Sequence, residues 1–201
     1  MLLRCWLGLL LGGVMLGCQA GLTGATQGDA GTALTQTLRY YDGQRWRDVW
    51  VNDREVVEFI APGQQGAARA ITSAATLLVE GRGVRIWRLA PQAGGAVTLS
   101  RRVAPERSLS PVFHLSPTGG SRLALSGNMV IRFKPEWSEA QIQTWLTTQG
   151  LTQLKVFSGL PATYVVRGGN GVDALLRANA LQESGEVVYA MPEWWREINK
   201  R

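Results

Sequence analysis

Cysteine, histidine and long apolar runs are all scarce in this sequence, and each scarcity closes off a class of function. Cys5 and Cys18 are the two cysteines, both within the first eighteen residues, so everything after Cys18 lacks the pair a disulfide needs. His114 is the single histidine. Without a second candidate base, and without a glycine-framed nucleophilic serine, a Ser-His-Asp arrangement is not assembled. His114, next to Phe113 in an extended stretch, is expected to be a structural or a surface residue. No His/Cys/Asp grouping has metal-ligand spacing, and no glycine loop has the phosphate-cradling pattern. The expectation is a protein that is not an enzyme and has no cofactor and no metal. The formal charge of +6 is spread along the chain with no run of five like charges, which argues against nucleic acid as a partner. The apolar run from Trp6 to Leu16 is too short to cross a ~30 Å hydrocarbon core as a helix.

That short run has a different use. Arg4 precedes it, giving the n-region and h-region of an export signal. It ends at Met15, Leu16, Gly17 and Cys18, which resembles a bacterial lipobox, with Met15 in place of the usual leucine. The resemblance implies cleavage after Gly17 and lipidation of Cys18, hence attachment to a membrane by acyl chains. The alternatives are an ordinary cleaved signal peptide or an uncleaved anchor in which Cys18 is a bystander. The residue after the cysteine is Gln19 rather than Asp, so the expected location is the cell envelope, on the outer membrane if the cell is diderm. Without Arg4 the mature chain keeps twenty basic against fifteen acidic residues, a charge of +5.

Residues 1–17 are thus expected as a signal peptide and 18–37, rich in Gly, Ala, Thr and Gln, as a flexible tether. Folded sequence begins at Leu38. In the C-terminal part, residues 129–134 (MVIRFK) alternate as a strand. Ser138 and Gln141 form a capping box, and Ile142, Trp145 and Leu146 follow at helical spacing to a stop at Gly150. Strands are expected over 151–157, 163–167 and 186–190, the last stopped by Pro192, with a helix over 172–183. The order βαββαβ is the ferredoxin-like plan. Upstream, strands over 55–60, 83–89, 96–101 and 109–115 and a helix over 67–78 suggest a degenerate copy. Its second helix is deleted or reduced to a turn at 103–107. Each copy follows a short hairpin, turning at Asp42-Gly43 and at Gly119-Gly120. The expected fold class is α+β, two tandem ferredoxin-like modules over 38–116 and 117–201.

Residues 129–135 (MVIRFKP), 138–142 (SEAQI), 163–167 (TYVVR), 173–175 (DAL), 178–181 (ANAL) and 187–193 (VVYAMPE), in that order, resemble the N-terminal prodomains of subtilisin-like serine proteases, closest in type to fervidolysin-like enzymes. The match spans about residues 38–195 and is weak between 63 and 107. The protease's own Asp, His and Ser motifs are missing here. The resemblance implies a non-catalytic inhibitor or folding chaperone of a subtilisin-like serine protease, packing its sheet on the enzyme. It also implies a C-terminal tail laid in the substrate cleft, which maps to Met191, Pro192, Glu193, Trp194, Trp195 and Arg196. Trp194 and Trp195 are read either as interface anchors or as core and surface packing. Two alternatives remain: an envelope lipoprotein using this fold for structure or assembly with another protein, and a truncated protease precursor.

Overall fold

The computed structural model describes residues 34, 36–61, 75–81, 83–102 and 109–198. In chain order they form β1 (Gln36–Tyr41), β2 (Trp46–Phe59), β3 (Ala75–Gly81), β4 (Val84–Leu89), a short 3-10 turn (Pro91–Ala93), α1 (Ala96–Arg102) and β5 (Leu109–His114). The second half follows as β6 (Leu123–Arg132), α2 (Glu139–Thr148), β7 (Thr152–Val156), β8 (Thr163–Arg167), α3 (Gly171–Ser184) and β9 (Tyr189–Arg196). The signal, Cys18 and residues 19–33 of the expected tether lie outside the described residues; Gln36 and Thr37, expected as the end of the tether, are instead the start of β1, paired with Val51 and Trp50.

The protein is α+β. Nine antiparallel strands make one sheet in the order β3-β4-β2-β5-β6-β8-β7, with β1 also on β2 and β9 also on β6. Within each half the first long strand is flanked by the third and fourth, and the second lies outside the third: β3-β4-β2-β5, then β7-β8-β6-β9. The halves share an irregularity as well. Residues 53–55 bulge from β2 against β5, and residues 126–128 bulge from β6 against β9. The expected boundary at 116/117 falls in the β5–β6 loop, and the sheet continues across it where Phe113 faces Leu123.

Alternation assigns the two faces. Met129, Ile131 and Phe133 join Tyr164, Val166, Ile142, Leu146, Ala174 and Ala178 in a core beneath α2 and α3. Val49, Val51, Phe113, Leu123 and Leu125 meet Val172 and Leu175 of α3. Val56, Trp87 and Leu109 meet Ala96 of α1. The three helices among the described residues therefore cover one face. Each fully buried Leu, Ile or Phe here contributes about 1.5–3 kcal/mol, so the covered face carries most of the stability.

Several expectations are corrected. Residues 96–101 are not a strand but the body of α1. Ala96 and Ser100 are buried one turn apart, and Asp53 Oδ1 accepts the Val97 N–H at 3.0 Å, satisfying an orphan donor of the first turn. Of the helix expected over 67–78, residues 75–78 belong to β3, held by pairing with β4; residues 67–74 lie outside the described set, as does the segment 103–107. The strand expected over 129–134 begins earlier, at Leu123, so that the residues following the Gly119-Gly120 turn belong to the same strand, β6, bent at its bulge. β9 does not stop at Pro192 but runs through it to Arg196. Proline is tolerated there because β9 is an edge strand paired only with β6. The first hairpin turns through four residues, with Asp42 Oδ1 accepting the N–H groups of Gln44 and Arg45 at 3.0 and 2.9 Å.

Candidate partner-binding surface

The face away from the helices is built by the other members of the same alternation. In the second half, β6 presents Asn128, Val130 and Arg132. They stand opposite Arg167, Val165 and Thr163 of β8, while Met191 and Tyr189 of β9 face Val130 and Arg132. A register shift between Gln153 and Lys155 places Lys155 beside Val165, on this same open face. Lys155 and Arg167 are exposed and Arg132 is half-buried. Lys155 Nζ sits 4.8 Å over the Phe157 ring, and Arg167 Nη1 donates to the Ser126 carbonyl. The nearby carboxylate, Glu193, is engaged by Ser126 Oγ at 3.0 Å and Asn128 Nδ2 at 2.8 Å.

The first half of the open face is differently balanced. Glu55 is buried and accepts from Arg122 Nε at 2.7 Å and Arg88 Nη2 at 3.2 Å; Arg122 also reaches Glu197. Burial pushes the Glu55 carboxyl up, but the hydrogen bonds and charges of Arg122 and Arg88 outweigh it and hold it below the ordinary carboxylate value. Beside this network, Trp195 packs edge-on against Phe59 at 6.4 Å and joins Val57, Ile86, Val112 and Ala124. His114 is buried, with Nδ1 3.1 Å from the Gly120 carbonyl oxygen. A carbonyl can only accept, so Nδ1 carries the proton. Of the two expectations for His114, structural or surface, the structure gives the first.

The residues expected as a cleft-bound tail lie within the sheet. Leu123, Ala124 and Leu125 pair with Arg196, Trp195 and Trp194, and Met129 and Val130 with Pro192 and Met191. Trp194 is wedged edge-on between Tyr40 and Phe113, at 5.0 and 5.2 Å. Its indole is partly buried and packs against the core, and Trp195 lies on the opposite face. A backbone already paired with β6 on one side is not free to lie between two walls of a foreign cleft. The outer side is blunted too: Pro192 has no N–H, and the Ala190 N–H is taken by Gln182 Oε1 at 2.9 Å. The segment 191–196 is therefore a structural strand.

On the helix side, α2 carries a groove of about 570 Å³ between Trp137 and Trp145, floored by Ala140, Thr144 and Thr148. Both indoles pack on Phe133, and Trp145 Nε1 donates to Glu186 at 3.0 Å. Beneath them the Tyr164 hydroxyl donates to Glu139. Burial, then the bond to Glu139 and its charge, push the tyrosine up to about 12.

Among the described residues no group of three or more His, Cys, Asp or Glu is placed to hold a metal ion, and no helix is long and apolar enough to cross a membrane. Sequence reasoning did not bring Arg132, Lys155 and Arg167 together. Alternation alone sets Lys155 on the face of Gln153, and the register shift between them reverses it. Comparisons with protein-family models, with curated proteins and with solved structures find no match to this chain.

Proposed function

We propose that this chain is a non-catalytic lipoprotein of the cell envelope, attached through Cys18, whose folded part is a pair of ferredoxin-like modules that bind another protein. The observation that carries the reading is the repeated strand order, β3-β4-β2-β5 and β7-β8-β6-β9, with the described helices on one face and none of them on the other. In this reading α1 is the second helix of the upstream module, in place of the turn or deletion expected there.

The partner implied by the resemblance is a subtilisin-like serine protease, inhibited or helped to fold by the open sheet face. With residues 191–196 committed to the sheet, the face does the binding and the cleft-filling tail drops out of the mechanism. The test is calorimetric titration of the mature chain into purified subtilisin-like proteases, in buffer without lipid. Saturable binding supports the protease reading, and none across the panel overturns it. A structural or assembly role with another envelope protein is the second reading, favoured by the locked β9. The lipid is tested separately by the intact mass of protein extracted from membranes: acyl chains on Cys18 support the anchor, and an unmodified chain overturns it.

A further inference from the structure

Arginines on the first half of the sheet are largely spoken for: Arg47 pairs with Asp42, Arg85 with Glu80 and Arg88 with Glu55, which also takes Arg122 from the start of the second half. The open face of the second half differs. Among the described residues, Arg132, Lys155 and Arg167 make no ion pair, and they come from the three adjacent strands β6, β7 and β8. Glu193, a carboxylate on the same face, is held by Ser126 and Asn128. Three cations against one engaged carboxylate leave this patch positive. Adjacent strands are about 4.8 Å apart, so the charges are spread across a sheet surface rather than gathered around a point.

We infer that this basic half-face docks on an anionic lipid surface, a membrane rich in phosphatidylglycerol-type headgroups, and sets the orientation of the domain on its own bilayer. The inference rests on the envelope reading above. Two observations favour lipid. Laterally mobile headgroups match a spread of cations without needing a fixed partner geometry. In addition, the seventeen residues 19–35 between Cys18 and β1 reach at most about 60 Å fully extended, so an anchored domain always has the headgroups within range. Each Lys or Arg near such a surface adds about fivefold to binding, from about 1 kcal/mol per charge. Tethering raises the effective concentration further. A protein partner on the open face and the bilayer would exclude one another.

The experiment uses the chain from residue 18 onward with Cys18→Ser, so that no acyl chain contributes. It is sedimented with vesicles rich in phosphatidylglycerol and with vesicles of phosphatidylcholine alone. Binding to the first and not the second is expected, weakening as salt is raised. Lys155→Glu/Arg167→Glu should lower it about tenfold or more, while Arg54→Glu/Arg102→Glu, an equal charge change off this face, should lower it far less. Melting curves of both variants confirm folding. Equal loss in the two variants, or no binding to phosphatidylglycerol, overturns the inference. So does binding of a subtilisin-like protease that depends on Lys155 and Arg167 while vesicles are ignored, which assigns the face to an acidic protein. If protein extracted from membranes carries acyl chains on Cys18 but the Cys18→Ser chain ignores the vesicles, the docking face alone fails; if the extracted protein is unmodified while the Cys18→Ser chain binds them, the anchor alone fails.

Discussion

Arg122 Nε stands 2.7 Å from Glu55 Oε2, and through that contact the residue preceding β6 grips the bulge of β2 in the other half. Arg88 completes the cage from β4. Replacing Glu55 by Gln should destabilise the fold by about 2 kcal/mol at neutral pH, because a buried charge-assisted pair is lost and Arg122 keeps only Glu197. The folded-state carboxyl is held below its unfolded value. Its contribution is therefore present above about pH 4.3 and fades as the pH falls through the lower, folded-state value. Urea unfolding of wild type and Glu55→Gln at neutral and acid pH checks this: the gap between them should narrow in acid.

The two bulges share a task, since each holds the start of the helix that precedes the fourth strand. In β2, Asp53 caps α1 through Val97. In β6, the Gly127 carbonyl accepts the Gly168 and Gly169 N–H groups just before α3. A Cβ on Gly95 would lie 1.9 Å from Asp53 Oδ2. Gly95→Ala should therefore displace the cap and cost about 1 kcal/mol, like Asp53→Ala. The two losses should not add in the double variant.

Gly127 is the harsher case. Its φ is +88° and a Cβ would come 2.5 Å from the Gly169 carbonyl oxygen, which is backbone and cannot swing away. Gly127→Ala should cost about 2–4 kcal/mol. Thermal unfolding followed by circular dichroism separates the two glycines by the size of the shift.

Trp194 distinguishes a core strand from a free tail. Trp194→Ala should cost about 3–5 kcal/mol, in the range for emptying a large aromatic site. Removing residues 191–201 should abolish cooperative unfolding, because β6 loses a partner along most of its length. A truncated chain that melts as the whole protein does would mean β9 is dispensable.

What was legible in the sequence was what is encoded locally. The helix at 139–148 carries its own cap, with Ser138 and Gln141 bonded reciprocally, and α3 ends at Gly185 in the left-handed conformation. Alternation in residues 129–133 gave the covered face of β6 and, by exclusion, Val130 and Arg132 on the open one. What escaped depends on distant partners. The cap of α1 comes from Asp53, 44 residues upstream, so residues 96–101 read as a strand. β3 owes its extended form to β4, and β9 passes Pro192 because that edge needs no donor. Lys155 reached the open face only through a register shift that side-chain pattern does not reveal.

The central claim is that the open sheet face of the second half, with β9 locked beside it, is the partner-binding surface. The most direct measurement is the affinity of the mature chain for a subtilisin-like protease, determined without lipid for wild type, for Lys155→Glu/Arg167→Glu and for a chain ending at residue 196. The account predicts about tenfold or greater weakening in the charge-reversed variant at unchanged melting temperature, near wild-type affinity in the shortened chain, and competition for the same face when phosphatidylglycerol vesicles are then added. Unchanged affinity in the first, with loss in the second, would contradict it and return the binding role to a tail beyond β9.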